Sequence, residues 1–165
     1  MIIRQCLLLT LLLAVISCTP KLEKRLKEGL IENPTTQTEI DKNAIINYAI
    51  ANEMDVQATE SGIHYVITAE GTGDAHPTTS SRVKAHYTGK LLDGTKFDSS
   101  LDRGTPLEFG LGQVIKGWQE AIPLLKKGGK GTFLIPSELA YGKRGAGKVI
   151  PPNSVLLFEI ELLDF

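Results

Sequence analysis

Val114-Ile115-Lys116-Gly117-Trp118-Gln119-Glu120-Ala121-Ile122 holds the only tryptophan of the chain and reads as the opening of a single buried helix. Ile115, Trp118, Ile122 and Leu125 recur at i, i+3, i+7 and i+10 and line one helical face, while Lys116, Gln119, Glu120 and Lys126 fall on the other. On this pattern alone Trp118 is a packing residue as readily as a functional one, because an aromatic at helical spacing usually packs. Pro123 cannot donate to the carbonyl of Gln119, so the final turn is expected to be loosened or shortened, with Gly128-Gly129 stopping it.

Around this helix the apolar period is two. Ile63, Tyr65 and Ile67 alternate with His64 and Thr68 until Gly71-Thr72-Gly73 breaks the run, and residues 83–91 form a second strand. Asp93-Gly94 is a strong hairpin turn, after which Thr95-Lys96-Phe97 begins the returning strand. Further short strands are read at 107–111, 130–135 and 155–163. One short helix among five to six antiparallel strands predicts an α+β domain over residues 61–165, its sheet curled around the helix.

Before this domain, Thr36 followed by Glu39 has the form of a capping box. Ile40, Ala44, Ile45, Tyr48 and Ala51 then mark an amphipathic helix in a 38–60 extension. That helix is too short for a dimerising arm, so packing in cis and a monomeric chain are expected. Residues 18–37 carry Leu22, Leu26 and Leu30 at every fourth position; a seam one residue wide buries little, so this stretch is read as a partly ordered spacer. Residues 1–17 contain Arg4 and an apolar run from Cys6 to Ile16, too short to cross a membrane and suited to a signal-peptide core. The run ends in Val15-Ile16-Ser17-Cys18, which resembles the bacterial lipoprotein signal box, in which the cysteine is acylated. The alternative is an ordinary cleaved secretory signal.

Several chemistries are excluded. Both cysteines, Cys6 and Cys18, lie in the leader, so no disulfide framework is available. His64, His76 and His86 lack metal-site spacing, and no metal or other cofactor is expected. The formal net charge is −1 with both signs interspersed, which gives nucleic-acid binding no electrostatic support. Gly128-Gly129-Lys130-Gly131-Thr132 lacks the first glycine of a phosphate-binding loop and precedes a strand. Ser81 and Lys84 would fall on opposite faces of a strand, which leaves no serine–lysine nucleophile pair.

What remains is a set of aromatic and aliphatic blocks: His86-Tyr87-Thr88-Gly89, Asp93-Gly94-Thr95-Lys96-Phe97-Asp98-Ser99-Ser100, Val114-Ile115-Lys116-Gly117-Trp118, Ala140-Tyr141-Gly142, and Ile150-Pro151-Pro152-Asn153 followed by Leu156-Leu157-Phe158. In order and spacing they resemble the FKBP-type peptidyl-prolyl cis–trans isomerases from about residue 61 to Phe165. The resemblance implies a half-open sheet over the helix, with an apolar pocket for a proline ring between them. Trp118 would be its floor, and Tyr87, Phe97, Val114, Ile115 and Phe158 its walls, with Leu107 and Ile150 also lining it. Tyr141 would offer its hydroxyl and Ile115 its N–H to peptide carbonyls. Asp98, paired with Arg103, would stand beside the twisting amide, so the catalytic set is Asp98, Tyr141, Trp118 and Tyr87.

The implied activity is isomerisation of X–Pro bonds in exported proteins, with proline-containing polypeptides as substrates and a macrolide as an inhibitor. A non-catalytic peptide-binding holdase is the alternative. Acylated Cys18 would anchor the chain in a lipid bilayer facing the periplasm. Thr19 is not the acidic residue that retains some lipoproteins in the inner membrane, which points to the outer one. Two departures stand out. Leu107 occupies a position where many members carry an aromatic, and the loop 143–149 is basic and glycine-rich, read as a mobile flap with Ala146 at its tip.

Overall fold

The computed structural model describes residues 19–165. The leader and Cys18 lie outside the described residues. The chain begins with α1 (Thr19–Lys27) and α2 (Gln37–Ala51). Thr36 caps α2 through its side chain, which accepts from the Glu39 N–H, while the Glu39 carboxylate accepts from the N–H groups of Thr35 at 2.8 Å and Thr36 at 2.9 Å. Those backbone donors hold the Glu39 carboxyl at about 2, well below its ordinary 4.5. The stretch read as a partly ordered spacer is half helical, and its leucine seam has a partner: Leu26 is buried, and Leu22 and Leu30 pack on the same cluster as Ile45, Ile46 and Ala49 of α2. Asn43 ties the connecting loop by bonding both the N–H and the carbonyl of Ile31.

The strands that follow are β1 (Gln57–Ala58), β2 (His64–Ala69), β3 (Arg82–Leu91), β4 (Lys96–Ser99) and β5 (Leu107–Gly110). Asp93-Gly94 turns β3 into β4, with Gly94 at φ +88° and the Asp93 carboxylate accepting from the Thr95 N–H. Next comes α3 (Lys116–Ala121), which continues only as a 3₁₀ turn over Ile122–Leu124, since Pro123 supplies no donor for a further α turn. The chain ends with β6 (Lys130–Ile135) and β7 (Leu156–Asp164).

All pairings are antiparallel, in the order β1-β2-β6-β7-β3-β4, with β5 also on β3. The fold is the expected curled sheet around one short helix. Among the described residues seven strands form where five to six were expected; one of them, β1, is two residues long, too short to show a period.

The sheet is covered on both faces. Its concave face holds Trp118, Ala121, Ile122 and Leu125 of the helical segment against Val83, Ala85, Phe133, Ile135, Phe158 and Ile160. Its convex face receives α2 and α1 over Val66, Leu134 and Leu157. This explains why Phe133-Leu134-Ile135 and Leu156-Leu157-Phe158 read as unbroken apolar runs: alternate residues go to opposite cores. Each fully buried Ile, Leu or Phe contributes about 1.5–3 kcal/mol, so both layers stabilise the sheet that carries the site.

Candidate functional site

The site starts at a division in the edge of β3. Arg82 to Ala85 pair with β5, whereas Thr88, Gly89 and Lys90 pair with β4, so His86 and Tyr87 stand where the two partners part. Ser100, fully buried, fills that gap. Its Oγ accepts from the Tyr87 N–H at 2.8 Å, and its N–H donates to the Tyr87 carbonyl at 3.0 Å. His86 Nδ1 lies 3.0 Å from the same hydroxyl. Tyr87, paired with Ile160 of β7 on its other side, is thereby fixed without a strand partner on this edge.

Four aromatic rings meet there. Trp118 packs edge-on against Tyr87 at 4.9 Å between centroids and against Phe158 at 5.2 Å, and Phe97 meets Phe158 at 5.6 Å, all near-perpendicular. Gly89 makes this approach available. A Cβ at that position would lie 2.6 Å from the Phe97 ring and 2.8 Å from Phe158. Val114, Ile115, Leu107 and Ile150 belong to the same apolar cluster. A further ring was not singled out in the sequence: Phe109 lies 5.3 Å from Trp118. The signal was the alternation of Leu107 and Phe109 about Glu108, which puts both on one face of β5.

Gly117 sits in the first turn of α3. It lets α3 press against β6, because a Cβ there would collide with the Ile135 side chain and crowd the Leu139 carbonyl. The Trp118 Nε1–H is the single buried side-chain donor or acceptor without a partner among the described residues. Such a group costs about 1–3 kcal/mol when unsatisfied, and it leaves a donor free at the floor of the site.

At the rim, the Tyr87 hydroxyl donates to Asp98, Arg103 pairs with Asp98, and Arg103 Nη2 donates to the Tyr87 hydroxyl at 3.0 Å. The guanidinium also lies 5.6 Å over the Tyr87 ring. Burial works to raise the Asp98 carboxyl, but the Tyr87 hydroxyl, the Arg103 guanidinium and a backbone N–H together hold it below its ordinary 3.8. Burial and then the Asp98 carboxylate push the Tyr87 phenol up. Asp98 is therefore an anion and Tyr87 a neutral donor at neutral pH.

Ile115 stands at the N-cap of α3, and its N–H has no acceptor among the described residues, while its carbonyl accepts from Trp118 and Gln119. Tyr141, 41% exposed, follows the 3₁₀ turn after β6 and makes no ring pair or hydrogen bond with the other residues named, so the structure does not bring it together with them. The 143–149 loop is closed at its base, where Ala146 and Ile150 exchange both backbone hydrogen bonds. Ala146 is thus in the ladder, and Gly147, Lys148 and Val149 form the tip. The Asn153 N–H donates to the Gly142 carbonyl at 2.8 Å, which joins two of the sequence blocks into one wall.

The family model for FKBP-type peptidyl-prolyl cis-trans isomerases matches residues 73–163, the span that holds all of these side chains. The chain belongs to this family. Among its FKBP relatives, the probable FKBP-type peptidyl-prolyl cis-trans isomerase of Haemophilus influenzae is 55% identical over 114 residues, covering 69% of this chain and 47% of that protein. FkpA of Aeromonas hydrophila is 50% identical over 139 residues, 79% of this chain and 51% of that one. The crystal structure of FkpA from Escherichia coli superposes with a TM-score of 0.69 at 41% identity, covering 88% of this chain and 62% of the other. This FKBP chain spans about half the length of the H. influenzae and A. hydrophila relatives.

Proposed function

We propose that the chain is a peptidyl-prolyl cis–trans isomerase acting on X–Pro bonds of exported proteins. The observation that supports this most is the joining of an apolar floor, Trp118 between Tyr87 and Phe158, to an ionised rim at Asp98. Rotation about an amide costs about 18–20 kcal/mol because twisting removes its conjugation. A planar amide is more polar than a twisted one, so transfer from water to an apolar pocket penalises the ground state more than the transition state. No bond to the substrate is made or broken.

In this reading the proline ring rests on Trp118 between Tyr87, Phe97 and Phe158. The Ile115 N–H and the Tyr141 hydroxyl donate to carbonyls on the two sides of the proline, which holds the chain while the amide turns. Asp98 and Tyr87 are paired with Arg103 before substrate arrives, so the rim needs no rearrangement as the amide twists. Leu107, Ile150 and Phe109 extend the apolar walls. A macrolide that mimics the bound proline would compete for the same floor.

The test is exchange of a proline-containing peptide measured with the described domain. Turnover above the uncatalysed rate, lowered in Asp98→Asn and Trp118→Leu, supports the reading. A folded chain with no turnover sinks it and leaves the holdase.

We further propose that Cys18 is acylated and holds the protein on the outer membrane, facing the periplasm, as a monomer. The support is the Val15-Ile16-Ser17-Cys18 box behind a short apolar run. Two or more acyl chains, at about 0.8 kcal/mol per buried methylene, give a stable anchor. Radiolabelled palmitate should enter the wild-type chain and not Cys18→Ser.

A further inference from the structure

The most deeply buried carboxylate among the described residues is not at the pocket. Asp41, on α2, is 1% exposed, and it reaches the turn after β6. Its Oδ2 accepts from both the N–H of Ser137 at 2.7 Å and the Oγ–H of Ser137 at 2.6 Å; its Oδ1 accepts from Gln37 Nε2 at 2.7 Å. Ser137 is fully buried and opens the 3₁₀ turn Ser137–Leu139. The residue before it is Pro136, which has no side-chain acceptor, so the turn has no cap of its own and takes one from a helix 96 residues away. Beside this, Thr38 Oγ1 donates to Glu138 at 2.7 Å.

Burying a carboxylate is costly unless it is fully hydrogen-bonded, and an apolar residue would join the two layers at lower cost. What a carboxylate adds is direction. The turn it caps has two neighbours of consequence. Ala140 closes it by donating to the Ser137 carbonyl, and the next residue is Tyr141. Leu139 presents its carbonyl to Gly117, the residue before Trp118.

We propose that Asp41 is a positioning residue for Tyr141: the N-terminal helix sets the turn that aims the Tyr141 hydroxyl at the bound peptide. This deepens the isomerase reading and rests on it. The extension then works on the pocket from the opposite face of the sheet, through hydrogen bonds to a single turn.

The experiment measures KM and kcat for a prolyl peptide in the full chain and in D41A, D41N, S137A and I46A. Loss of the cap should raise KM about five-fold in D41A, the size of one lost hydrogen bond, with kcat changed less than about two-fold. D41N should restore most of the affinity, because its amide oxygen accepts from Ser137 while the Gln37 amide turns over. I46A removes packing from the same helix without touching Ser137. It should lower the melting temperature and leave KM unchanged. An unchanged KM in D41A overturns the inference, as does an equal rise in I46A, which would make the helix merely structural. If D41A fails to fold, S137A, which removes the Oγ–H bond and keeps the N–H bond, decides by the same sign at a smaller size: a raised KM supports the clasp and an unchanged one overturns it. A wild-type chain without turnover overturns the isomerase reading and this inference together, whereas wild-type turnover with unaltered variants overturns the clasp alone.

Discussion

Asp98 shows how a single residue's environment sets its behaviour. A carboxylate at the edge of an aromatic box would be expensive in isolation, yet here it is both half in solvent and held by Tyr87 and Arg103. Its folded value lies below its ordinary 3.8, so its contribution is present above that pH and lost as the pH falls through the lowered folded value. Isomerase activity of the wild type, followed by NMR exchange of a prolyl peptide, should therefore stay flat from pH 7 to about 4 and fall below it. Asp98→Asn should be low and level over the same range; a wild type that loses activity already at pH 5 would contradict this. Gly89 offers a second test. Gly89→Ala forces a methyl into the Phe97 and Phe158 rings, and overpacking of this kind costs about 1–3 kcal/mol. Thermal unfolding should register the loss, and turnover should drop because the wall rings move; an unshifted melting temperature would mean the rings are free to give way.

Elements inherit their limits from a few residues each. The helix α3 carries the pocket floor and is only two turns long, because Pro123 withdraws a donor and the chain tightens into a 3₁₀ turn. Its approach to β6 depends on Gly117, and Gly117→Ala should displace Trp118 and lower turnover by more than it lowers the melting temperature, as read by tryptophan fluorescence beside the assay. For α2, the relevant residue is Glu39. Its carboxyl falls from 4.5 to about 2 on folding, so the stability it contributes is complete above pH 4.5 and disappears as the pH drops toward 2. Melting curves of wild type and Glu39→Gln should thus differ at pH 7 and converge between pH 4.5 and 2; a constant gap would show that the cap is not ionised when it acts.

At the level of the whole molecule, one sheet serves two cores, and a packing change in the convex one meets the concave one through the shared strands, whereas Asp41 meets the turn after β6 directly. Ile45→Ala, fully buried against Leu134 and Leu157, should cost about 2–5 kcal/mol of unfolding free energy, seen as a lower urea midpoint with an unchanged slope. Its turnover well below the melting temperature should match wild type, since no ring of the box touches Ile45. His64 belongs to this same covered face. Burial, opposed by a Gly62 carbonyl, holds it below its ordinary 6.5. The convex layer therefore loses stability as the pH drops from 6.5 through the lowered folded value.

The sequence by itself determined whatever depends on residues a few positions apart. The alternation in 63–67 and 107–111, the Asp93-Gly94 turn, the Thr36–Glu39 box and the shortened helix at Pro123 are set by local sterics and local donors, and they are legible without a partner. The aromatic blocks were legible too, because their order and spacing resemble the family whose model matches residues 73–163. Tertiary structure alone decided the rest. The leucine seam of 22–30 packed against α2, its first two leucines from a helix and Leu30 from the loop after it, Gly117 proved to serve contact with Ile135, and Phe109 joined Trp118. Asp41 carries no mark in the sequence that sets it apart from the other charges of its helix, and only the fold puts Ser137 against it. The reason is common to all four: the energy of each contact lies between residues far apart in the chain, and no periodicity records which distant surface a side chain will meet.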